Sequence, residues 1–323
     1  MYCSRRIAPR EPGPGIIFKF PVFLAVFVLV FASCEKLRNV AYPAADGGRT
    51  VESPDASFPP QAGQPALEEQ ADLGETIAVL TRREQTEAGI VTGALNDAGL
   101  PPEIAVKLEA AVAESPAFIL DLLTCLKGDP FLRRLVDKSH ALPEAYEPDD
   151  LVELVPGSYE LGRRGLLLRR PAAEALERMA AAARADGVVL VASSTYRSYA
   201  YQVEVYNRNV RELGQAGADR ESARPGYSQH QTGLAVDFGS IDDSFAQTRA
   251  GRWILEHGSR FGWSLSFPDG YEDITGYRWE SWHYRYVGED LAAFIDTWFG
   301  GIQQYALQFI HAWEENGSNR QGF

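Results

Sequence analysis

Cysteine is scarce in this 323-residue chain, and its three copies cannot form a disulfide framework. Cys3 and Cys34 belong to the N-terminal segment, and Cys125 stands alone in an apolar helical stretch, where it reads as a small buried hydrophobe. Positive charge is short as well. Against 44 Asp and Glu there are 31 Lys and Arg, a formal net charge of -13. A nucleic-acid partner needs clustered cations on its phosphates, so that class is set aside. No internal repeat is visible. What the chain does have is apolar content: 45% of its residues are hydrophobic, enough for a packed core in one large domain or two modest ones.

Residues 1–34 read as an export signal. Arg5, Arg6, Arg10 and Lys19 precede an apolar run from Phe20 to Phe31 that is short for a membrane-spanning helix, and Ala32-Ser33-Cys34 follows. Phe31-Ala32-Ser33-Cys34 resembles the lipobox of bacterial lipoproteins, although Phe31 stands where Leu is usual. The resemblance implies lipidation of Cys34, with a plain signal peptide or an uncleaved anchor as the alternatives. Residues 35–72 turn to Ala, Pro, Gly, Asp and Glu without periodicity, as in a solvated tether.

Residues 73–134 carry a helical pattern. Ile104, Val106, Leu108 and Val112, then Phe118, Leu120, Leu122 and Leu123, are interrupted at Pro101-Pro102 and Gly128-Asp129-Pro130, which predicts two or three helices. Nothing in them carries chemistry, and a lid, a partner-binding module and simple packing all remain open. Residues 135–313 alternate in type. Pro171 opens a helix with Leu176, Met179, Ala180 and Ala183 on one face, which Asp186-Gly187 stops. Strands are predicted over 188–192, 234–238 and 282–287, and helices over 199–213, 252–261 and 291–313, the last broken at Gly300-Gly301. The fold class is α+β, a small mainly antiparallel sheet with flanking helices. Residues 314–323 read as a polar tail.

Histidine is rare, with five copies, yet His230 stands seven residues before Asp237 in Ser228-Gln-His-Gln-Thr-Gly-Leu-Ala-Val-Asp-Phe238. On one helix the pair would lie roughly 10 Å apart, too far to share an ion with ligands at about 2 Å. Gly233 offers a sharp turn instead, and Leu234 to Phe238 alternates as a strand with Asp237 on the face of the small Ala235. A second cluster, Glu280-Ser-Trp-His283 followed by Tyr-Arg-Tyr-Val287, puts His283 on the face opposite Trp282, Tyr284 and Tyr286. His230, Asp237 and His283 can make a two-His, one-carboxylate zinc site with an open position for water. Glu280 can take that water's proton. Taken singly, each of these residues is more often a satisfied core or turn residue than a ligand.

Together, Ser-x-His-x-x-Gly-x-Ala-x-Asp and Glu-x-Trp-His in that order resemble the VanY-type D-alanyl-D-alanine carboxypeptidases. These belong to a wider zinc peptidase family with D-Ala-D-Ala dipeptidases, lysostaphin-like enzymes and hedgehog domains. The resemblance runs from about Leu135 to Gly288 and includes Ser194-Thr-Tyr-Arg-Ser198, Tyr201-Gln202, Pro225-Gly226 and Thr275-Gly-Tyr277. It implies a hedgehog/D-Ala-D-Ala peptidase-like fold, zinc on His230, Asp237 and His283, Glu280 as general base and acid, and Arg197 on the substrate carbonyl. Ser228, Tyr196 and Gln202 become substrate-contact candidates, though Ser228 could be a turn former and Gln202 a solvated helix residue. Gln229 departs from the Glu of many relatives, and Ser281 from a common Pro. His140, His257 and His311 have no ligand-like neighbours and read as structural or exposed.

The implied activity is removal of the terminal D-Ala from peptidoglycan stem peptides by a lipid-anchored enzyme facing the periplasm or cell wall. An endopeptidase ranks second and a D-Ala-D-Ala dipeptidase after it. A non-catalytic wall-binding lipoprotein is disfavoured because Glu280, Arg197 and all three ligands are present.

Overall fold

The computed structural model describes residues 89–320, with side chains through residue 317. The signal segment with Cys34, the 35–72 tether and the start of the helical segment lie outside the described residues. Among the described residues, no helix is long and apolar enough to cross a membrane.

Helix α1 (89–97) leads into α2 (Pro102–Glu114), which opens with Pro at its start, and α3 (Ala117–Lys127). A two-stranded antiparallel ladder, β1 (Leu151–Glu153) with β3 (Leu167–Arg169), flanks the main sheet. That sheet has the order β2-β4-β5-β7-β6, formed by β2 (Glu160–Leu161), β4 (Val191–Ser194), β5 (Ala235–Phe238), β6 (Trp263–Leu265) and β7 (His283–Tyr286). Only β2 with β4 is parallel, so the sheet is mainly antiparallel and the fold is α+β. Helices α4 (Arg170–Ala185), α5 (Tyr199–Glu221), α6 (Arg249–His257) and α7 (Glu272–Thr275) fall between strands, and α8 (Glu289–Phe299) and α9 (Gln303–Arg320) close the described chain.

Strand alternation divides the sheet's two faces. Leu234, Val236 and Phe238 of the β5 segment and Trp282, Tyr284 and Tyr286 of the β7 segment join one core with Leu176, Met179, Ala180 and Ala183 of α4. Asp237, His283 and Arg285 take the other face.

A second core joins α1–α3 to α8 and α9. Phe118, fully buried, sits 5.3 Å from Phe294, 5.2 Å from Trp298 and 5.6 Å from Phe309 by ring centroids. The N-terminal helical segment is therefore packing for the C-terminal helices, which alone would expose their apolar faces. Cys125 lies in this core, free and buried, and its thiol is pushed up to about 12 by burial and then by Asp290 and Asp121.

Several boundaries differ from the sequence-based expectation. The strand expected at 188–192 begins at Val191, because the Val188 amide first donates back to Ala183 O at 2.8 Å to close α4. The helix expected at 199–213 runs on to Glu221 across Gly214, whose φ of 72° and ψ of 171° kink it. The helix expected at 252–261 starts at Arg249, because the Thr248 side chain caps it by accepting from Gly251 N, and becomes a 3-10 turn from Gly258. The polar tail is not separate: α9 continues to Arg320, with Glu314 accepting from Arg133 at 2.7 Å and Asn316 donating to Asp97 at 2.9 Å.

Candidate metal centre and active-site cavity

Three local devices converge on one point. Gln229–Thr232 forms a 3-10 turn, started by the Ser228 hydroxyl accepting from His230 N at 3.3 Å and ended by Gly233 in the left-handed region at φ 70°. A side chain at 233 would also collide with Arg169 and Leu151, so glycine is required twice over. The turn delivers His230, and the next residues enter β5, where Asp237 lies directly opposite His283 of β7.

The tautomers are set by the ring atoms that face away. His230 donates Nδ1–H to Thr195 O at 2.8 Å, leaving Nε2 as an acceptor 3.2 Å from Asp237 Oδ2. His283 donates Nε2–H to Gln229 Oε1 at 3.2 Å, leaving Nδ1 as an acceptor 3.0 Å from Asp237 Oδ1. Three acceptor sites thus face one another within 4.8 Å, all buried, and Asp237 Oδ1 has no hydrogen-bond donor. Such a cluster repels itself unless a cation lies between, and two imidazoles with one carboxylate are the donor set of a zinc centre. His230, Asp237 and His283 are the residues that would hold the ion. Among the described residues no other cluster of this kind occurs.

Electrostatics agree with that reading. Burial pushes the His230 imidazole down to about 4, with Asp237 working against it, so it is neutral and ready to ligate near neutral pH. Burial would raise the Asp237 carboxyl, and it falls well below the usual carboxylate range only with positive charge beside it, a proton on His230 or His283 or a cation in their place. Glu280 Oε2 lies 3.6 Å from His283 Nδ1. Burial and then the Asp237 charge push its carboxyl well above the ordinary range.

These groups line a cavity of about 290 Å³, which Arg197, Ser228, Phe267 and Tyr277 also line. Arg197 donates Nη1–H to Gln202 Oε1 at 2.8 Å and Nη2–H to Ser194 Oγ at 3.2 Å. Gln202 is fully buried and donates Nε2–H to Ala223 O at 2.6 Å. It does not line the cavity; it holds Arg197, neither touching substrate space nor lying in solvent. Tyr196 does not line the cavity either, but a separate groove with Tyr146 and Tyr199. Neighbouring residues in an extended segment project to opposite sides, so Tyr196 and Arg197 cannot share the site. Ser228 both caps the turn and lines the cavity. His140 bonds Asp137 at 2.8 Å, His257 packs on Trp253 and His311 lies beside His140, all apart from the centre.

Sequence reasoning gives no role to Thr195, whose carbonyl orients His230, or to Gln229, Ser266 and Gln303 behind His283. Backbone acceptors leave no mark in side-chain patterns, and polar residues far apart in sequence give no local signal.

The sheet, the three convergent ligands and the adjacent carboxylate define a metallopeptidase of α+β architecture. Known proteins agree. Residues 165–289 match the model of the VanY family, D-alanyl-D-alanine carboxypeptidase. The Bacillus subtilis protein YodJ is 38% identical over 183 residues, covering 54% of this chain and 67% of that protein. The bifunctional D-Ala-D-Ala dipeptidase and D-Ala-D-Ala carboxypeptidase VanXYC of Enterococcus gallinarum is 31% identical over 163 residues, 48% of this chain and 83% of that one. The solved structure of the LdcB LD-carboxypeptidase superposes with a TM-score of 0.50 at 35% identity, covering 54% of this chain and 84% of that one. The chain belongs to the VanY family of D-alanyl-D-alanine carboxypeptidases, and it is an enzyme.

Proposed function

We propose that the chain is a zinc-dependent carboxypeptidase that removes the terminal D-Ala from peptidoglycan stem peptides. The observation that carries this reading is Glu280: a buried carboxyl 3.6 Å from a ligand imidazole, in one cavity with Arg197. A zinc ion on His230, Asp237 and His283 would supply Lewis acidity and an activated water. Glu280 accepts the water's proton and passes it to the leaving amine of the released alanine. Arg197, its guanidinium oriented by Gln202 and Ser194, meets the amide carbonyl where negative charge grows. His230, Asp237, Glu280 and His283 are all buried, which strengthens both interactions.

A second reading is favoured by the LdcB likeness: an LD-carboxypeptidase, which would release a D-residue held by an L,D bond, as at the end of a stem shortened by one residue, rather than one held by a D,D bond. Mass spectrometry of stem penta- and tetrapeptides incubated with the full-length chain separates the two. Loss of one alanine from the pentapeptide supports the first reading, and loss from the tetrapeptide alone supports the second. Loss of a dipeptide or a cut inside the stem overturns both and favours the dipeptidase or endopeptidase.

The export signal and the Cys34 motif support placement of this enzyme on a bacterial membrane, facing the periplasm or cell wall through lipid on Cys34. A tether of several tens of residues would let the enzyme sweep nearby stem peptides.

A further inference from the structure

Two buried amides link the C-terminal helix to the ligand imidazole of His283. Ser264 O, a backbone carbonyl, accepts Nε2–H of Gln303 at 3.2 Å. That turns Gln303 Oε1 toward Gln229, whose Nε2–H it meets at 3.4 Å. Gln229 in turn presents Oε1 to the Ser266 hydroxyl at 2.7 Å and to His283 Nε2–H at 3.2 Å. Gln303 is 1% exposed, Gln229 5%, Ser266 2% and His283 4%, so water does not substitute for any link.

The series has a direction. A carbonyl can only accept, so Ser264 sets which end of the Gln303 amide faces it, Gln303 sets Gln229, and Gln229 sets His283. Rotating either amide would place oxygen against oxygen in a dry interior. An ionised Glu at 229 would do the same, facing the Gln303 carbonyl with an acceptor. At the end of the series His283 carries its proton on Nε2 and keeps the Nδ1 lone pair aimed at the ion site.

We propose that Gln303 is a positioning residue of the metal centre, acting through Gln229 to hold His283 in its ligating tautomer and orientation. The proposal rests on the zinc reading above. It also gives α9 a role beyond packing, because Gln303 opens that helix and lies outside the 165–289 segment matched by the family. An apolar side chain of equal length would fill the same space without needing partners, so the buried amide calls for a reason other than volume.

The test is a double-mutant cycle read on zinc affinity, with full-length chain in detergent, stripped of metal and titrated against a chromophoric chelator. Gln303→Met keeps the length and removes the amide, and zinc binding is expected to weaken roughly tenfold, within the about 10–100-fold cost of losing an outer partner. Gln229→Met is expected to weaken it by at least as much. The double variant should bind little more weakly than Gln229→Met alone, because the links from Gln303 to the His283 ring, directly and by way of the Ser266 hydroxyl at 3.4 Å from Gln303 Oε1, both end at Gln229 Oε1. The absorption bands of bound cobalt(II) should shift in both single variants. Gln304→Met is the control: its amide donates to Asp137 at 2.7 Å on a separate branch, so zinc affinity should stay unchanged whatever happens to stability.

Wild-type zinc affinity and an unshifted cobalt spectrum in Gln303→Met would overturn the proposal, as would full additivity in the double variant. If Gln303→Met does not fold, Gln303→Asn, which withdraws the amide by one methylene, is read in the same way. A wild-type chain that binds no zinc at all would sink the metal reading itself and the relay with it, an outcome distinct from wild-type binding without sensitivity to Gln303.

Discussion

Asp237 and His283 stand directly opposite each other across the β5–β7 ladder, with Asp237 Oδ1 3.0 Å from His283 Nδ1. Antiparallel pairing brings together two residues 46 positions apart and points both to the same face. The metal site is thus an outcome of strand register. A slip of one residue would turn Asp237 into the α4 core.

Removing the charge at this point should differ from removing the base. Asp237→Asn keeps the shape but not the anion. Its zinc affinity should fall by more than the about 10–100-fold expected for an outer partner. Glu280→Gln should keep one zinc per chain while kcat falls about 10²–10⁴-fold. Elemental analysis beside turnover separates the two, and metal loss in Glu280→Gln would remove Glu280 from the role of base.

Gln202 and Tyr196 divide in the same manner. Gln202→Leu leaves Arg197 and Ala223 O without their partner, and should cost about 1–3 kcal/mol of stability with a clear fall in kcat. Tyr196→Phe should leave kcat/KM roughly unchanged. Urea unfolding and steady-state kinetics check both, and a larger kinetic defect in Tyr196→Phe would put the substrate in the other groove.

Zinc binding should release a proton. In the metal-free protein Glu280 retains its proton well above the ordinary carboxylate range because of burial and the Asp237 charge. A cation on Asp237 cancels that charge and favours ionised Glu280, so the proton leaves and apparent affinity weakens as pH falls. His230, held down at about 4, is already neutral near pH 7 and adds no proton there. Calorimetry in two buffers of different ionisation enthalpy measures the release. Equal heats would contradict it.

Phe118 tests the joint core of α1–α3 with α8 and α9. Phe118→Ala should cost about 3–5 kcal/mol, read from urea unfolding, because three aromatic rings lose their common neighbour. A negligible loss would mean that the N-terminal helices fold apart from the rest.

Cys34→Ser should move the chain from the membrane to the soluble fraction, checked by fractionation after expression in a bacterial host. Unchanged membrane association would leave the uncleaved anchor as the better account of residues 1–34.

Strand periodicity and chemical type made much of the site legible in advance. His230, Asp237, Glu280 and His283 stand out because their placement and side chains suit metal and proton chemistry, Arg197 stands out only through the resemblance to the VanY-type enzymes, and the structure gathers all five around one cavity. The short strands β1, β2, β3 and β6 left no such trace, because strands of two or three residues carry too little alternation to be distinguished from loop. Gln202, expected as a substrate contact with a solvated position as the alternative, is neither, because the segment that buries it comes from residues 222–223, which its helix position does not reveal.

What the linear chain determined by itself was which residues could do chemistry and which face of each strand they would take, since side-chain type and two-residue alternation are local properties. Only the tertiary structure decided which lone pairs meet. The proton on His283 is set by an amide 54 residues away, which is in turn oriented by a helix that begins 74 residues beyond it. Such long-range hydrogen bonds depend on how layers pack, and packing is a property of the whole chain.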